Sequence, residues 1–471
     1  MFTRLVFPLT VVLLSLEPAR AEPPKPLSLH PDNPHYLLFR GKPTILLTSG
    51  EHYGAVLNSE FDYGAYFKEL KAHGFNLTRT FSGVYREVPG SFGIVENTLG
   101  PDAKQFICPW SKNDKGKFDL HAYNKAYFDR LKDFVQKAGE NGIVVELVLF
   151  CAIYDDKLWD INPMNAKNNV NGAGKIGRQE IYRLKDQVLT ELQVELVREL
   201  AKALKDFDNV YFEVCNEPYF AGTTPEWTDH IVEALTDTEK NFPARHLIAQ
   251  NIANGAAKVE ELNKNVSILN FHYATPPTTV AQNYHLKRPI ADDETGFRGT
   301  DDLAYRSEAW EFLLAGGAIF SNLDYSISAG RPDGTLKVTT SPGGGGRELR
   351  KQLHILKEFM EGFDFVKMKP LNSVVKGGSV NAPLSGDPPQ AKSTVSVLAE
   401  PGQAYALYIL GGTKADLTLD LPVGAYKAEW VNTRTGKVGH EESFEHTGGE
   451  KALSSPKYVE DIALRIKRRE R

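Results

Sequence analysis

Eight short apolar runs, each followed by a polar or helical stretch, recur along the first three quarters of this chain and constrain its fold more than anything else in it. They fall at residues 44–49, 75–81, 143–150, 210–215, 246–251, 267–273, 289–293 and 318–324. Apolar runs this short, without strict alternation, suit strands covered on both faces, as in a parallel sheet. Between them lie stretches of helical periodicity at 62–73, 123–141 and 187–205, the second ending on Gly142, the residue type that closes helices. Eight successive β-then-α units predict a (β/α)8 TIM barrel with enlarged loops. Around Gly41-Lys42-Pro43, residues 36–40 and 44–48 predict a short hairpin ahead of the barrel, reached by an extended Pro-rich lead-in at 23–34.

A helix at 347–361 follows the loop Ser341-Pro342-Gly343-Gly344-Gly345-Gly346, and then the texture changes. Residues 395–399, 404–410, 416–421, 426–432 and 436–444 are short strand-like runs parted by Gly, Pro and Asn. They predict a small all-β sandwich domain over 371–471, after a catalytic barrel over 22–370. A chain of 471 residues is long enough for both. The basic end Lys467-Arg468-Arg469-Glu470-Arg471 is expected to be a solvated terminus.

The first residues read as an export signal. Arg4 precedes the apolar run 5–16, and Ala19-Arg20-Ala21 supplies a small-x-small cleavage site, giving a signal peptide over 1–21. The run is too short to span a hydrocarbon core of about 30 Å, so a secreted or periplasmic protein free of the membrane is expected. With a net charge of −5 there is no basic surplus for a nucleic-acid partner. An odd count of three cysteines, Cys108, Cys151 and Cys215, makes buried free thiols the plain expectation, a Cys108–Cys151 disulfide being the alternative. No Cys/His spacing implies a metal or other cofactor. A monomer is expected.

The chemistry concentrates at strand ends. In Asn209-Val210-Tyr211-Phe212-Glu213-Val214-Cys215-Asn216-Glu217-Pro218 a strand runs directly into Asn-Glu-Pro, so Glu217 would project at the mouth of the barrel, where such enzymes keep their active sites. Apolar and aromatic walls would raise its pKa and make it a proton donor, with the Asn216 amide beside it for a sugar hydroxyl. Glu213 lies deeper and reads as half of a buried ion pair. A second carboxylate comes from Pro289-Ile290-Ala291-Asp292-Asp293-Glu294-Thr295-Gly296. Glu294 stands at the strand-to-loop edge, with Asp292 and Asp293 as supporting acids and Asp293 as the alternative functional one.

Over about residues 40–330 the chain resembles clan A glycoside hydrolases, family 5-like and cellulase-like. That resemblance implies retention through two catalytic residues, an acid/base at the end of strand four, Glu217, and a nucleophile at the end of strand seven, Glu294. It implies that Arg79, in Asn76-Leu77-Thr78-Arg79, hydrogen-bonds the nucleophile. It implies too that the Tyr273 hydroxyl or the His272 imidazole, in Phe271-His272-Tyr273, holds Glu294 ionised and oriented; because neighbours on a strand alternate faces, only one of the pair need point inward. Two segments depart from the family. Strand three ends Leu149-Phe150-Cys151-Ala152 where a His motif is usual, and strand eight reads Phe320-Ser321-Asn322-Leu323-Asp324-Tyr325 where a Trp is usual. The sugar subsite at the reacting centre is therefore not that of a standard cellulase or mannanase.

The polar and aromatic cluster Glu51, His52 and Tyr53 after strand one would contact sugar, plain packing of its loop being the alternative. Trp159 and Tyr325 are further candidates, drawn from a set of aromatics that also includes Tyr85, Tyr154 and Phe297. The long polar loops 100–120 and 155–180 would shape the cleft. The C-terminal part resembles exported bacterial barrel proteins with a collagen-binding-type terminal domain, a fold-level analogy that says nothing of collagen binding. The expected partner is an oligo- or polysaccharide, and the expected reaction is cleavage of a β-linked glycoside by double displacement. A non-catalytic carbohydrate-binding or adhesion protein on the same scaffold is the alternative. A metalloenzyme using His52, Asp155, His272 and Asp293 has no ligand spacing to support it.

Overall fold

The computed structural model describes residues 25–381 and 393–469. The signal-peptide reading of 1–21 and the last two residues of the basic tail lie outside them. Eight parallel strands form one sheet: β1 (Leu46–Gly50), β2 (Leu77–Phe81), β3 (Val144–Cys151), β4 (Val210–Asn216), β5 (Ile248–Asn254), β6 (Ile268–His272), β7 (Ile290–Thr295) and β8 (Ile319–Leu323). Hydrogen-bonded neighbours run β1-β8-β7-β6-β5-β4-β3-β2. The remaining seam, between β1 and β2, is closed through Asn76, whose backbone N–H donates to the Leu47 carbonyl at 3.3 Å. The Asn76 amide accepts from the Leu47 N–H at 2.9 Å and donates to the Ile45 carbonyl at 2.9 Å. The result is a TIM barrel, and all its strands except β5 are buried at every position. That burial is why the runs in the sequence are continuous rather than alternating.

Helices cover the barrel: α1 (Tyr63–Ala72), α2 (Lys125–Glu140), α3 (Asp156–Ile161), α4 (Gln187–Leu204), α5 (Pro225–Glu239), α6 (Thr278–Asn283), α7 (Asp302–Leu314) and α8 (Arg347–Glu361). Polar side chains stop the orphan N–H groups at their starts. Asp62 accepts from Gly64 and Ala65, Asn124 from Ala126, and Asp186 from Leu189. The expected regular repeat fails once, because β5 is followed by no helix: residues 255–267 return directly to β6. That link is too short for a helix to run back along the barrel and turn again. Among the described residues no helix is long and apolar enough to cross a membrane.

The C-terminal part is two antiparallel sheets. Strands are β9 (Val375–Asn381), β10 (Thr394–Glu400), β11 (Ala404–Leu410), β12 (Lys414–Leu421), β13 (Gly424–Val431), β14 (Val438–His446), β15 (Gly449–Ser454) and β16 (Asp461–Arg468). The larger sheet runs Lys369–Pro370, β10, β11, β16, β13, β14, and the smaller runs β9-β12-β15. Side chains of both, such as Leu407, Trp430, Leu417 and Leu453, close one core between them. The solvated-terminus reading is corrected here. Lys467 and Arg468 belong to β16, which pairs with both β11 and β13 in the middle of the larger sheet. Ile462, Leu464 and Ile466 enter the core between the sheets, and Lys467 lies over the Phe363 ring.

The larger sheet docks on α7. Trp310 stacks on Tyr408 with ring centroids 5.3 Å apart, and Arg306 forms a two-pronged ion pair with Asp461 at 2.8 and 3.0 Å. Helix α7 is therefore buried around nearly its whole circumference and carries no amphipathic signature.

Candidate active site

At the C-terminal rim of the barrel the strands deliver side chains into a cavity of about 310 Å3, lined among others by His52, Tyr53, Tyr154, Asn216, Glu217, Asn254, Tyr273 and Glu294. Glu217 follows β4 directly and has φ 46°, a left-handed conformation unusual for a residue with a side chain. Its Oε2 accepts from the Tyr154 hydroxyl at 2.5 Å and its Oε1 stands 3.2 Å from His272 Nδ1. Burial alone would lift the Glu217 carboxyl, but a hydrogen bond from His272 and the charge that ring can carry, with hydrogen bonds from Tyr154 and Asn254, outweigh it and hold the group below the usual range. The raised pKa expected from apolar walls is thus reversed, because donors face the carboxylate from several sides.

Glu294 is the last residue but one of β7, and its Oε1 accepts from the Tyr273 hydroxyl at 2.7 Å. Arg79 Nη1 is 3.4 Å from Glu294 Oε2. An oxygen of Glu217, an oxygen of Glu294 and a nitrogen of His272 all lie within 4.8 Å of one another. Both His272 and Tyr273 point into the barrel, although neighbours on a strand should not. The strand ends at His272, and Tyr273 takes φ 52°, which swings its ring back inward. A similar irregularity operates on β7, where the pairing with β6 and β8 slips between Asp292 and Thr295. Asp293 and Glu294 consequently both face inward. Asp292 is turned outward instead, where burial and Glu308 push its carboxyl well up.

Beneath the cavity lies a second layer. Arg79 donates to Glu213 at 2.8, 3.0 and 3.2 Å and to the Asn216 carbonyl oxygen at 2.7 Å. It also approaches Asp293 at 3.2 Å and Glu146 at 3.8 Å, and its guanidinium lies 4.5 Å from the Tyr53 ring centre. The Asn270 amide nitrogen reaches Glu146, Asp293 and Glu213 at 2.7, 2.7 and 3.0 Å. Glu213 is the buried ion-pair partner that the sequence suggests. Three acids around one guanidinium cannot all be ionised away from water. Burial and the Glu213 charge push Glu146 up to about 8, and burial with the neighbouring acids lifts Asp293 well above the carboxylate range, while Arg79 holds Glu213 down. The guanidinium is already lodged among these acids and supplies the positive charge that a cation would.

The remaining sequence candidates separate. Asn216 is aligned by the protein itself: Arg79 holds its oxygen, and its nitrogen points at Tyr154 (2.9 Å) and Cys151 Sγ (3.6 Å). His52 lines the cavity 3.4 Å from Glu87; burial alone would lower it, but Glu87, Glu294 and Glu51 together push it up. Glu51 turns away from the cavity and clamps its own loop, accepting from Gly54, Ala55 and Thr98 at 2.9, 3.1 and 2.5 Å. Trp159 donates to the Ile176 carbonyl at 3.1 Å within the long loop, and Tyr325 backs Phe297 at 5.9 Å; neither is among the lining residues. Asp155 caps α3. Phe92, Phe220 and Phe297, all exposed, stand at the cavity mouth. All three cysteines are free and buried.

Sequence reasoning did not give Tyr154, Asn254 and Glu87 a role in the site. Tyr154 stands three residues beyond β3, in a loop with no motif. Its one signal is its membership in the set of strand-end aromatics.

The family model described as cellulase (glycosyl hydrolase family 5) matches residues 41–289. Two solved structures from Bacteroides vulgatus ATCC 8482 share the fold. One, provisionally described as a glycoside hydrolase, has a TM-score of 0.65 at 15% identity, covering 96% of this chain and 84% of the other. The second, a glycoside hydrolase family 5 protein, has a TM-score of 0.62 at 14% identity, covering 94% of each chain. A search of curated proteins finds no match.

Proposed function

This chain belongs to glycosyl hydrolase family 5, and from that premise we propose that it cleaves a β-linked glycoside with retention, using Glu294 as nucleophile and Glu217 as acid/base. The observation that carries this reading is the approach of the two carboxylates. One oxygen of each lies within 4.8 Å of one oxygen of the other, which supports a retaining pair, with carboxyl groups about 5–5.5 Å apart, over an inverting pair at about 6.5–9.5 Å. In the first step Glu294 attacks the anomeric carbon while Glu217 protonates the departing oxygen. In the second, Glu217 takes a proton from the water that releases the sugar. Tyr273 and Arg79 steady the Glu294 carboxylate, and Tyr154 and His272 aim Glu217.

The substrate on this reading is an oligo- or polysaccharide whose ring faces meet Phe92, Phe220 and Phe297. The barrel over 22–370 is the catalytic unit and 371–471 an accessory domain whose larger sheet borrows Lys369–Pro370 as its edge, and the leader over 1–21 directs export of a monomer. Incubation with 2-deoxy-2-fluoro glycosides that carry an activated leaving group is the test. Mass spectrometry should find the sugar on Glu294, and Glu294→Gln should reduce turnover by about 10^4-fold or more. A label on another residue, or an inverted product anomer, would overturn the assignment.

A further inference from the structure

His272 sits fully buried between two layers of acids and faces one with each ring nitrogen. Nδ1 is 3.2 Å from Glu217 Oε1 and 3.7 Å from Glu294 Oε1. Nε2 is 3.5 Å from Asp293 Oδ1, and neither of those two buried atoms has any other hydrogen-bond partner. Two unpartnered acceptors that close repel each other unless a proton lies between them.

Where that proton sits follows from the surroundings. On Nε2 of a neutral ring, it would leave the Nδ1 lone pair facing the carboxylate of Glu217. On Asp293, it lets Asp293 donate to Nε2 while Nδ1–H donates to Glu217, and every contact becomes attractive; an imidazolium would match these contacts only with Asp293 ionised against Glu146 and Glu213, whose oxygens lie within 4.8 Å. The groups facing Asp293 favour the second arrangement. Glu146 comes from β3, Glu213 from β4, and Arg79 from β2 is the single cation, with the Tyr53 and Tyr211 hydroxyls close by. Around His272 stand Glu217, Glu294, Asp293 and Tyr273, with Glu213 within electrostatic reach.

We propose that Asp293 carries a proton in the resting enzyme and supplies it through His272 to Glu217, acting as a positioning residue behind the acid/base. The transfer is balanced. The Asp293 O–H bond breaks as Nε2–H forms, and Nδ1–H breaks as a hydrogen forms on Glu217 Oε1. The ring stays neutral, and the aspartate is left ionised 3.2 Å from Arg79. When Glu217 later takes a proton from water, the reverse sequence restores the start. This arrangement gives an ionised Glu217 a source of the proton it must deliver. The inference rests on Glu217 being the acid/base.

Asp293→Asn keeps a donor toward Nε2 but has no proton to release. At neutral pH its kcat/KM on alkyl glycosides should fall about 10^2–10^3-fold, the range of general-acid assistance. Dinitrophenyl glycosides, whose leaving group needs no proton, should change by no more than about threefold. The alkaline limb of the pH profile should move to lower pH. A variant with wild-type leaving-group dependence and an unmoved limb overturns the proposal. Should Asp293→Asn fail to fold, 15N NMR of the wild-type His272 ring decides: a neutral Nδ1–H tautomer supports the proposal, whereas Nε2–H or imidazolium overturns it. That reading stands apart from catalysis, so a protein without glycosidase activity would sink the proposed function and leave the tautomer result separate.

Discussion

Two buried arginines, Arg79 under the cavity and Arg306 between the barrel and the β sheets, look alike by burial and differ in completeness. Arg306 meets Asp461, Glu460 and Gln352, and Asp461 also accepts from Tyr408 and Thr433 at 2.8 Å. None of the polar side-chain atoms in that group lacks a partner. Around Arg79 the acids outnumber the cation, and Tyr53, Tyr211, Asn270, Glu146, His272 and Asp293 each keep a buried atom outside good hydrogen-bonding geometry. A closed network specifies how two units dock. An open one has protons to relocate, which suits chemistry and costs stability.

Three substitutions probe that contrast. Arg79→Met should have the largest effect, because it strands Glu213 and releases both Asn216 and Glu294. Breaking such a pair costs about 3–5 kcal/mol, and the remaining folded fraction should be inactive. Denaturant unfolding together with activity per folded molecule measures both. Arg306→Met should cost stability of similar or smaller size, about 3 kcal/mol, with kcat/KM of the folded enzyme unchanged; a loss of activity would show that the two clusters are coupled.

The third and smallest concerns pH. Glu146 is raised to about 8 in the fold, so the folded state binds more protons than the unfolded one between the ordinary carboxylate range and that value. Stability should therefore decline as pH rises from about 5 toward 8, and the decline should weaken in Glu146→Gln. Thermal melts across that range check it, and parallel curves for both proteins would remove Glu146 as the source.

The barrel was legible because fully buried strands leave continuous β-branched and aromatic runs, and Glu217 because Asn-Glu-Pro marks the end of one. What stayed hidden has physical reasons. Tyr154 reaches Glu217 across space from a loop, and no local pattern encodes that. The inward turn of both His272 and Tyr273 depends on a backbone φ of 52°, and periodicity assumes regular φ. Helix α7 lost its amphipathic signal by being covered on both sides. The final strand was masked by its charged end, Lys467 and Arg468, although Ile462, Leu464 and Ile466 alternate inward ahead of it.

Tyr53, Glu217 and Tyr273 all adopt left-handed backbone at barrel-strand ends, with φ of 51°, 46° and 52°. For side-chain-bearing residues each costs roughly 1 kcal/mol or more relative to glycine. Burial holds the Tyr53 ring in place whatever its backbone costs, but a lineage released from selection for turnover would find Glu217 drifting toward Gly or Asn, gaining thermal robustness as it lost its enzyme. Glycine at Glu217 in a relative would mark a barrel retired from catalysis, not one poorly made.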